Sequence, residues 1–427
     1  MLLSMAAIIL GGLTGGAVCK KIRFPALFGM IIAGIITGPY GLNLIDQSIL
    51  NISAEIRRIA LIIILIRAGL KLDLSDLKKV GRPAVMMCFV PACVEMAGMI
   101  ILAPVFLKMS YLDAAILGAV IGAVSPAVVV PRMIKLIDEG YGTAKGIPQM
   151  ILAGASVDDV FVIVMFTTFT GLAQGQNVSI MSFVNIPVSI VLGMIAGLIV
   201  GYLLFKWFSL IKMNMIIMTV IVLSVSFILS TIETGIPELP FASLIAIMCM
   251  GIAIKRAGMK QGDENDRRIA ETDSETETVN NTASAAEGET GTSNSSTLAA
   301  DLSGQFDKLW TVAEIFLFVL VGASVAIDHA KEAGLSAVIL ILLVLIFRML
   351  GVCLCVLGTG LSLKEKLFCM IAYTPKATVQ AAIGGIPLAM GLSCGETVLT
   401  VSVVAILITA PLGAFGIDLT YRKCLKR

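Results

Sequence analysis

Two aspartates stand side by side in the stretch Gly154-Ala155-Ser156-Val157-Asp158-Asp159-Val160-Phe161, with apolar sequence on both sides of them. A carboxylate at mid-bilayer depth costs roughly 2.5–3.5 kcal/mol even on the scale from insertion experiments. An adjacent pair persists there only if something neutralises it, and the smallest neutralisers are a proton and an alkali cation. Neighbouring helix residues point about 100° apart, so one carboxylate can face a cavity while the other faces a partner across a helix interface. Ser156 lies three residues before Asp159, on the same helix face. Oxygens of Asp158, Asp159 and Ser156, with backbone carbonyls freed elsewhere, make a ligand set suited to a hard cation such as Na⁺ or Li⁺. Protons compete for the same oxygens. A site where ion and proton exclude each other, exposed alternately to the two sides of a membrane, exchanges them with no separate coupling device. The plainer reading of the same doublet is an ion-pair lock between helices.

Two further charges sit deep in apolar runs, Glu95 and Arg348, 253 residues apart. A buried acid and a buried base are expected to pair, because an unpaired charge at that depth costs far more. Asp158 is a second candidate partner for Arg348. Arginine does not release its proton in proteins, so Arg348 cannot carry a transported proton; that role falls to the aspartates, and the balance leans towards electroneutral exchange. Arg67 lies within a turn of the end of an apolar run and reads as an interfacial anchor.

The elements that carry these residues are membrane helices. The chain of 427 residues is 58% hydrophobic and 14% charged, where soluble domains are about 45–50% apolar and about 25% charged. Thirteen apolar spans are expected, at about 1–19, 24–42, 55–71, 84–107, 111–136, 147–172, 180–205, 213–232, 237–254, 308–328, 335–358, 365–391 and 395–418. Of the 31 lysines and arginines, 24 fall at loops after odd-numbered spans or in the C-terminal tail, and 4 at loops after even-numbered spans. That asymmetry places the N-terminus outside and the C-terminus in the cytoplasm, in a multi-pass protein of the cell (inner) membrane. Residues 1–19 lack a basic leader and read as a retained helix. Residues 258–305 are rich in Glu, Asp, Ser, Thr, Asn and Gly and read as a disordered acidic cytoplasmic loop. The cysteines lie mostly in apolar runs and read as small buried hydrophobes. His329 is the single histidine, no Cys/His cluster has zinc spacing, and no cofactor is expected beyond transported Na⁺ or Li⁺ and H⁺. The net charge of +2 with scattered basic residues gives no reason to expect a nucleic-acid partner; the partners expected are small cations, protons and the lipid bilayer.

An internal repeat runs through the spans. Span five holds Ser125-Pro126-Ala127-Val128-Val129-Val130-Pro131 and span twelve holds Thr374-Pro375-Lys376-Ala377-Thr378-Val379, an offset of 249 residues. Span three ends Gly69-Leu70-Lys71-Leu72-Asp73 and span ten ends Ser324-Val325-Ala326-Ile327-Asp328, an offset of 255. These offsets carry spans one to six onto eight to thirteen. An odd number of helices separates the equivalents, so the halves are inverted, a build found in secondary transporters. Proline inside a helix removes a hydrogen bond and clashes with the preceding turn. Both prolines therefore predict broken helices, at 125–131 and at 374–385, and unwound backbone at that depth is tolerated where it lines a cavity or is buried in protein. Ser125, Pro126, Val128, Thr374, Pro375, Lys376 and Thr378 lie at the expected crossover, with Lys376 placed to neutralise half-helix C-termini.

The motifs from Ala123 to Pro131, the Gly140-Tyr141-Gly142 turn, Ser156-Val157-Asp158-Asp159, and Lys364-Glu365-Lys366-Leu367-Phe368 followed by Pro375-Lys376-Ala377-Thr378-Val379-Gln380-Ala381-Ala382 resemble those of the NHA-type sodium/proton antiporters of the cation/proton antiporter superfamily. The resemblance implies an all-α polytopic membrane protein with two inverted six-helix repeats and two crossed broken helices. It also implies a homodimer with an elevator-like mechanism, Asp158, Asp159 and Ser156 as the cation and proton site, and Glu95–Arg348 as a structural ion pair. The domains it implies are dimerisation-side helices at 1–82, 213–257 and 306–330, transport helices at 83–172 and 331–427, and a linker helix at 173–212. Well-known bacterial antiporters with an acidic doublet often carry lysine where this chain has Arg348, which puts their stoichiometry in doubt here.

Three other functions fit parts of the pattern. A potassium/proton antiporter would share the fold and the doublet. A sodium-coupled symporter of organic solutes would need a roomier polar cavity, and intramembrane Asn and Gln are scarce, Gln380 being an exception. An intramembrane aspartyl protease needs its two aspartates on separate helices facing one water; here they are adjacent, and no enzyme is expected.

Overall fold

The computed structural model describes residues 1–22, 24–71, 81–175, 180–211, 213–236, 241–276, 295–324 and 327–427, and every regular element among them is helical. Among the described residues, eight helices are long and apolar enough to cross a membrane. They run from Leu2–Lys21 near the N-terminus to Gly395–Cys424 near the C-terminus. The remaining five expected spans fall on helices of other kinds. Ala26–Thr37 is short, Ser53–Lys71 carries charges, Ser243–Thr276 and Ser295–Ala323 have polar ends, and the segment from Leu363 to Ala389 is interrupted. The segment expected to be disordered at 258–305 is helical at both ends, to Thr276 and from Ser295, and its middle at 277–294 lies outside the described residues. Part of the repeat match at 72–73 and 325–326 lies outside them as well.

The distribution of polarity is the inverse of a soluble protein's. Glu95, Asp158, Arg348 and Lys376 are fully buried, while Leu198, Ile199 and Leu203 are among the exposed side chains. That arrangement suits a hydrocarbon solvent, in which polar groups must be satisfied internally.

Contacts divide the chain into two compact units, one of Met1–Leu61, Asp73–Ile186 and Thr311–Arg427, the other of Ile62–Leu72 and Pro187–Trp310. In the second unit Arg67 is ion-paired with Asp307, and Lys71 Nζ lies 2.7 Å from Asp307 Oδ2. The first unit holds the aspartate doublet on helix Ile147–Ala173, Glu95 on Val90–Leu107 and Arg348 on Ile327–Cys355. Val90–Leu107 packs along Ile327–Cys355, and Gly351 lets the two backbones approach, since a Cβ there would strike Pro91.

Both proline-marked helices of this unit are interrupted. The first starts at Tyr111, where the Ser110 hydroxyl accepts the Asp113 N–H at 3.1 Å. It ends at Ile121 and resumes at Pro126. The break thus lies at 122–125, before the prolines rather than between them: Pro126 takes the first helical position, where its missing N–H costs nothing. It also turns Ser125 out of the helical region, at φ −87° and ψ 110°. Pro131 sits inside Pro126–Asp138 without ending it. The second starts at Leu363 with a capping box of Ser362 and Glu365 and ends at Ala372. It resumes as Thr378–Ile383 and, after Gly384 and Gly385, as Ile386–Ala389.

Candidate functional site

The two interruptions touch. The Ser125 N–H donates to the Pro375 carbonyl at 2.7 Å, which joins the start of one half-helix to the gap in the other. Around that contact lies a cluster of buried charges. Arg348 Nη2 is 2.7 Å from Asp158 Oδ2, and Arg348 Nη1 is 2.9 Å from Glu95 Oε2. Lys376 Nζ is 2.6 Å from the same Glu95 oxygen. All four side chains are fully buried. Both candidate partners of Arg348 are therefore engaged at once. Lys376 pairs with Glu95, a carboxylate, instead of facing half-helix carbonyls.

These charged groups also hold the broken backbone. Arg348 Nε donates to the Tyr373 carbonyl at 3.0 Å, and its Nη1 donates to the Gly122 carbonyl. The Val124 N–H donates to Asp158 Oδ2 at 2.9 Å. The Lys376 N–H donates to Thr409 Oγ1 at 2.9 Å. Tyr373 lies with its ring centre 4.9 Å from the Arg348 guanidinium carbon, and its hydroxyl donates to the Met87 carbonyl at 2.9 Å.

The doublet is treated unequally. Asp158 has no exposed surface and spends one oxygen on Arg348 and Val124. Asp159 keeps 8% of its surface. Its Oδ1 is buried with no hydrogen-bond partner among the described residues; the same holds for Asp158 Oδ1, Glu95 Oε1, Ser125 Oγ and Thr378 Oγ1. Buried oxygens without donors among the described residues are the kind of ligand that a cation or a proton takes. Ser156 lies on the doublet helix, but its side chain is outside the described residues. Thr374 turns back on its own helix, its hydroxyl donating to the Ile371 carbonyl at 2.8 Å. Val128 is buried, and its carbonyl accepts from Arg132 at 2.9 Å.

Sequence reasoning passed over Tyr373, Thr409 and the backbone of 122–124. Tyr373 had a visible signal, since it directly precedes Thr374-Pro375. Thr409 had none: a threonine in an apolar helix usually bonds its own preceding turn.

The family model for "Sodium/hydrogen exchanger, transmembrane" matches residues 5–275 and 291–422. The chain belongs to the sodium/hydrogen exchanger family. Its likeness to other members covers nearly its whole length. It is 32% identical over 434 residues to sodium/hydrogen exchanger 9B2 of Mus musculus, covering 97% of this chain and 72% of the relative. It is 29% identical over 451 residues to sodium/hydrogen exchanger 9B1 of Homo sapiens, covering 100% and 78%. The solved sodium proton antiporter MjNhaP1 from Methanocaldococcus jannaschii at pH 8 shares the fold. The TM-score is 0.80 at 18% identity, over 99% of this chain and 97% of that one. The exchanger is a multi-pass membrane protein and a secondary transporter, not an enzyme, and the family is the one its motifs resemble.

Proposed function

We propose that the chain exchanges Na⁺ or Li⁺ for protons across a cell membrane, with Asp159 as the carboxylate that takes each in turn. The observation that carries this reading is the unequal partnering of the doublet. Asp158 Oδ2 is committed to Arg348 and the Val124 N–H, while Asp159 is in no ion pair among the described residues and retains some surface. Asp158 then anchors the site and Asp159 exchanges its occupant. Asp158 Oδ1, Ser125 Oγ, Thr378 Oγ1 and Ser156 are the supporting ligands.

Charge balance favours electroneutral exchange. With every group ionised, the cluster holds the carboxylates Asp158, Asp159 and Glu95 against the cations Arg348 and Lys376. A single negative charge is left over, and one proton or one monovalent cation cancels it. Burying more charge than that is opposed by the cost of desolvation. In the same reading, the transport helices of both inverted halves move as one core and carry the crossover between the two faces of the membrane, against the dimerisation-side helices of a homodimer. The N-terminus lies outside, the thirteen spans and their domain boundaries are those given above, and the motion is elevator-like. The relatives' names as sodium/hydrogen exchangers agree with this choice of ions.

The test is purified protein in vesicles loaded with a pH dye, challenged with Na⁺, Li⁺ and K⁺, with and without an imposed membrane potential. Na⁺ and Li⁺ are expected to drive proton movement at rates the potential leaves unchanged. Proton movement driven by K⁺ alone, or by none of the three, would refute the reading.

A further inference from the structure

We infer that the end of the first unit around the Gly140-Tyr141-Gly142 turn binds the headgroup of an anionic phospholipid. The exchange proposed above does not use this turn. It joins Pro126–Asp138, which follows the first interruption, to Ile147–Ala173, which carries the doublet. Gly142 holds φ +70°, a conformation that L side chains rarely adopt. Two other segments meet the turn. The end of the chain lies against it: the Gly142 N–H donates to the Lys426 carbonyl at 2.7 Å, and Leu425 is buried. The rings of Tyr141 and Tyr421 meet edge to face, 5.2 Å between centres. Lys145 Nζ donates to the Gly360 carbonyl at 3.0 Å and to Glu365 Oε2 at 2.8 Å, which brings in the start of Leu363–Ala372.

The acids of these segments are mostly spoken for. Asp418 is paired with Arg132 at 3.3 Å and Glu365 with Lys145 at 2.8 Å. Glu139 lies 3.7 Å from Lys135 and accepts the Tyr421 hydroxyl at 3.3 Å. Asp138 is left. Against it stand Lys364, Lys366, Lys423, Lys426 and Arg427, none with a carboxylate partner among the described residues, and all but Lys366 are exposed.

The surroundings of these cations identify the anion. On Gly395–Cys424, Leu412 and Leu419 are exposed, and Lys423 follows Leu419 by four residues on the same face. On Leu363–Ala372, Leu363 and Leu367 are exposed, with Lys364 and Lys366 on either side of that stripe. The two helices pack together, and Gly416 lets one close on Ile371 of the other. Exposed leucines on membrane helices are covered by acyl chains, and lysines where such a face ends stand at headgroup depth. A soluble anion would account for the lysines alone. A phospholipid accounts for the leucines and the lysines together.

The test titrates phosphatidylglycerol into the purified full-length protein in neutral detergent and follows thermal melting, with phosphatidylcholine and inorganic phosphate as separate arms. Phosphatidylglycerol is expected to raise the melting temperature to a plateau, and the other two to leave it in place. Lys423→Gln with Lys426→Gln should weaken the apparent affinity about twenty-five-fold, at about fivefold for each charge removed. Lys364→Gln with Lys366→Gln, on the other helix, should weaken it to a similar degree. Where one of these pairs melts low without lipid, the other decides. Lys20→Gln with Lys21→Gln removes two exposed cations from the end of Leu2–Lys21 and should leave the affinity unchanged. Equal weakening by the Lys20 and Lys21 pair would overturn the inference, because the attraction is then spread over every basic helix end. So would equal stabilisation by phosphatidylcholine, or by phosphate without any lipid.

Discussion

Asp158 and Asp159 are chemically identical and adjacent, yet their neighbours assign them different work. Asp158 holds together Arg348 and the first interruption through a single oxygen. Replacing it by asparagine leaves the buried guanidinium with Glu95 as its one carboxylate, so Asp158→Asn is expected to lower stability by about 3 kcal/mol, the low end for breaking a buried pair. Asp159→Asn breaks no ion pair among the described residues and is expected to stay within about 1 kcal/mol of wild type while losing exchange. Glu95 Oε2 serves Arg348 and Lys376 together, so Glu95→Gln leaves two cations short of an anion and should cost roughly 3–5 kcal/mol. Thermal melting of the three purified variants gives the order Asp159→Asn, Asp158→Asn, Glu95→Gln from most to least stable. An Asp159→Asn protein that melts below the other two would reverse the roles assigned to the doublet.

At the scale of elements, the interruptions are held by specific partners for the backbone groups they free, among them Arg348 for Gly122 and Tyr373, Asp158 for Val124, Pro375 for Ser125 and Thr409 for Lys376. A gap in a membrane helix is otherwise too costly to keep. Thr409→Val is nearly isosteric and leaves the Lys376 N–H unsatisfied in a buried place. It is expected to destabilise the protein by about 1–3 kcal/mol, whereas Thr409→Ser keeps the hydroxyl and should melt close to wild type. Equal melting of the Val and Ser variants would mean that the second gap does not depend on this bond. The gaps also show what the chain reveals of itself and what it conceals. The prolines announce an interruption, but Pro126 opens a half-helix instead of lying within the break, because its ring suits the first helical position. The break falls on 122–125, where no residue type signals it apart from Gly122.

For the whole molecule, the legible features are those that conflict with a hydrocarbon solvent. The doublet, Glu95 and Arg348 stand out because charges in apolar runs are costly. The 253-residue offset links Glu95 to Arg348 in the chain, and the 2.9 Å ion pair joins the same two residues. What stays hidden depends on depth and on side-chain reach. That Lys376 crosses to Glu95, or that Gln380 spans three carbonyls, follows from where two gapped helices cross, and spacing along the chain does not encode it. The polar residues after 258 read differently at their edges. Low hydrophobicity removes a reason to pack, but it does not forbid a helix, and Ser243–Thr276 extends into the first part of them.

The central claim is that cation and proton occupy one carboxylate by turns, and the proton released when the cation binds reports on it directly. Na⁺ added to the purified protein in weakly buffered solution is expected to acidify the solution until the site saturates, and Asp159→Asn should release nothing while remaining folded. Na⁺ binding without proton release by the wild type, or undiminished release by Asp159→Asn, would contradict the account.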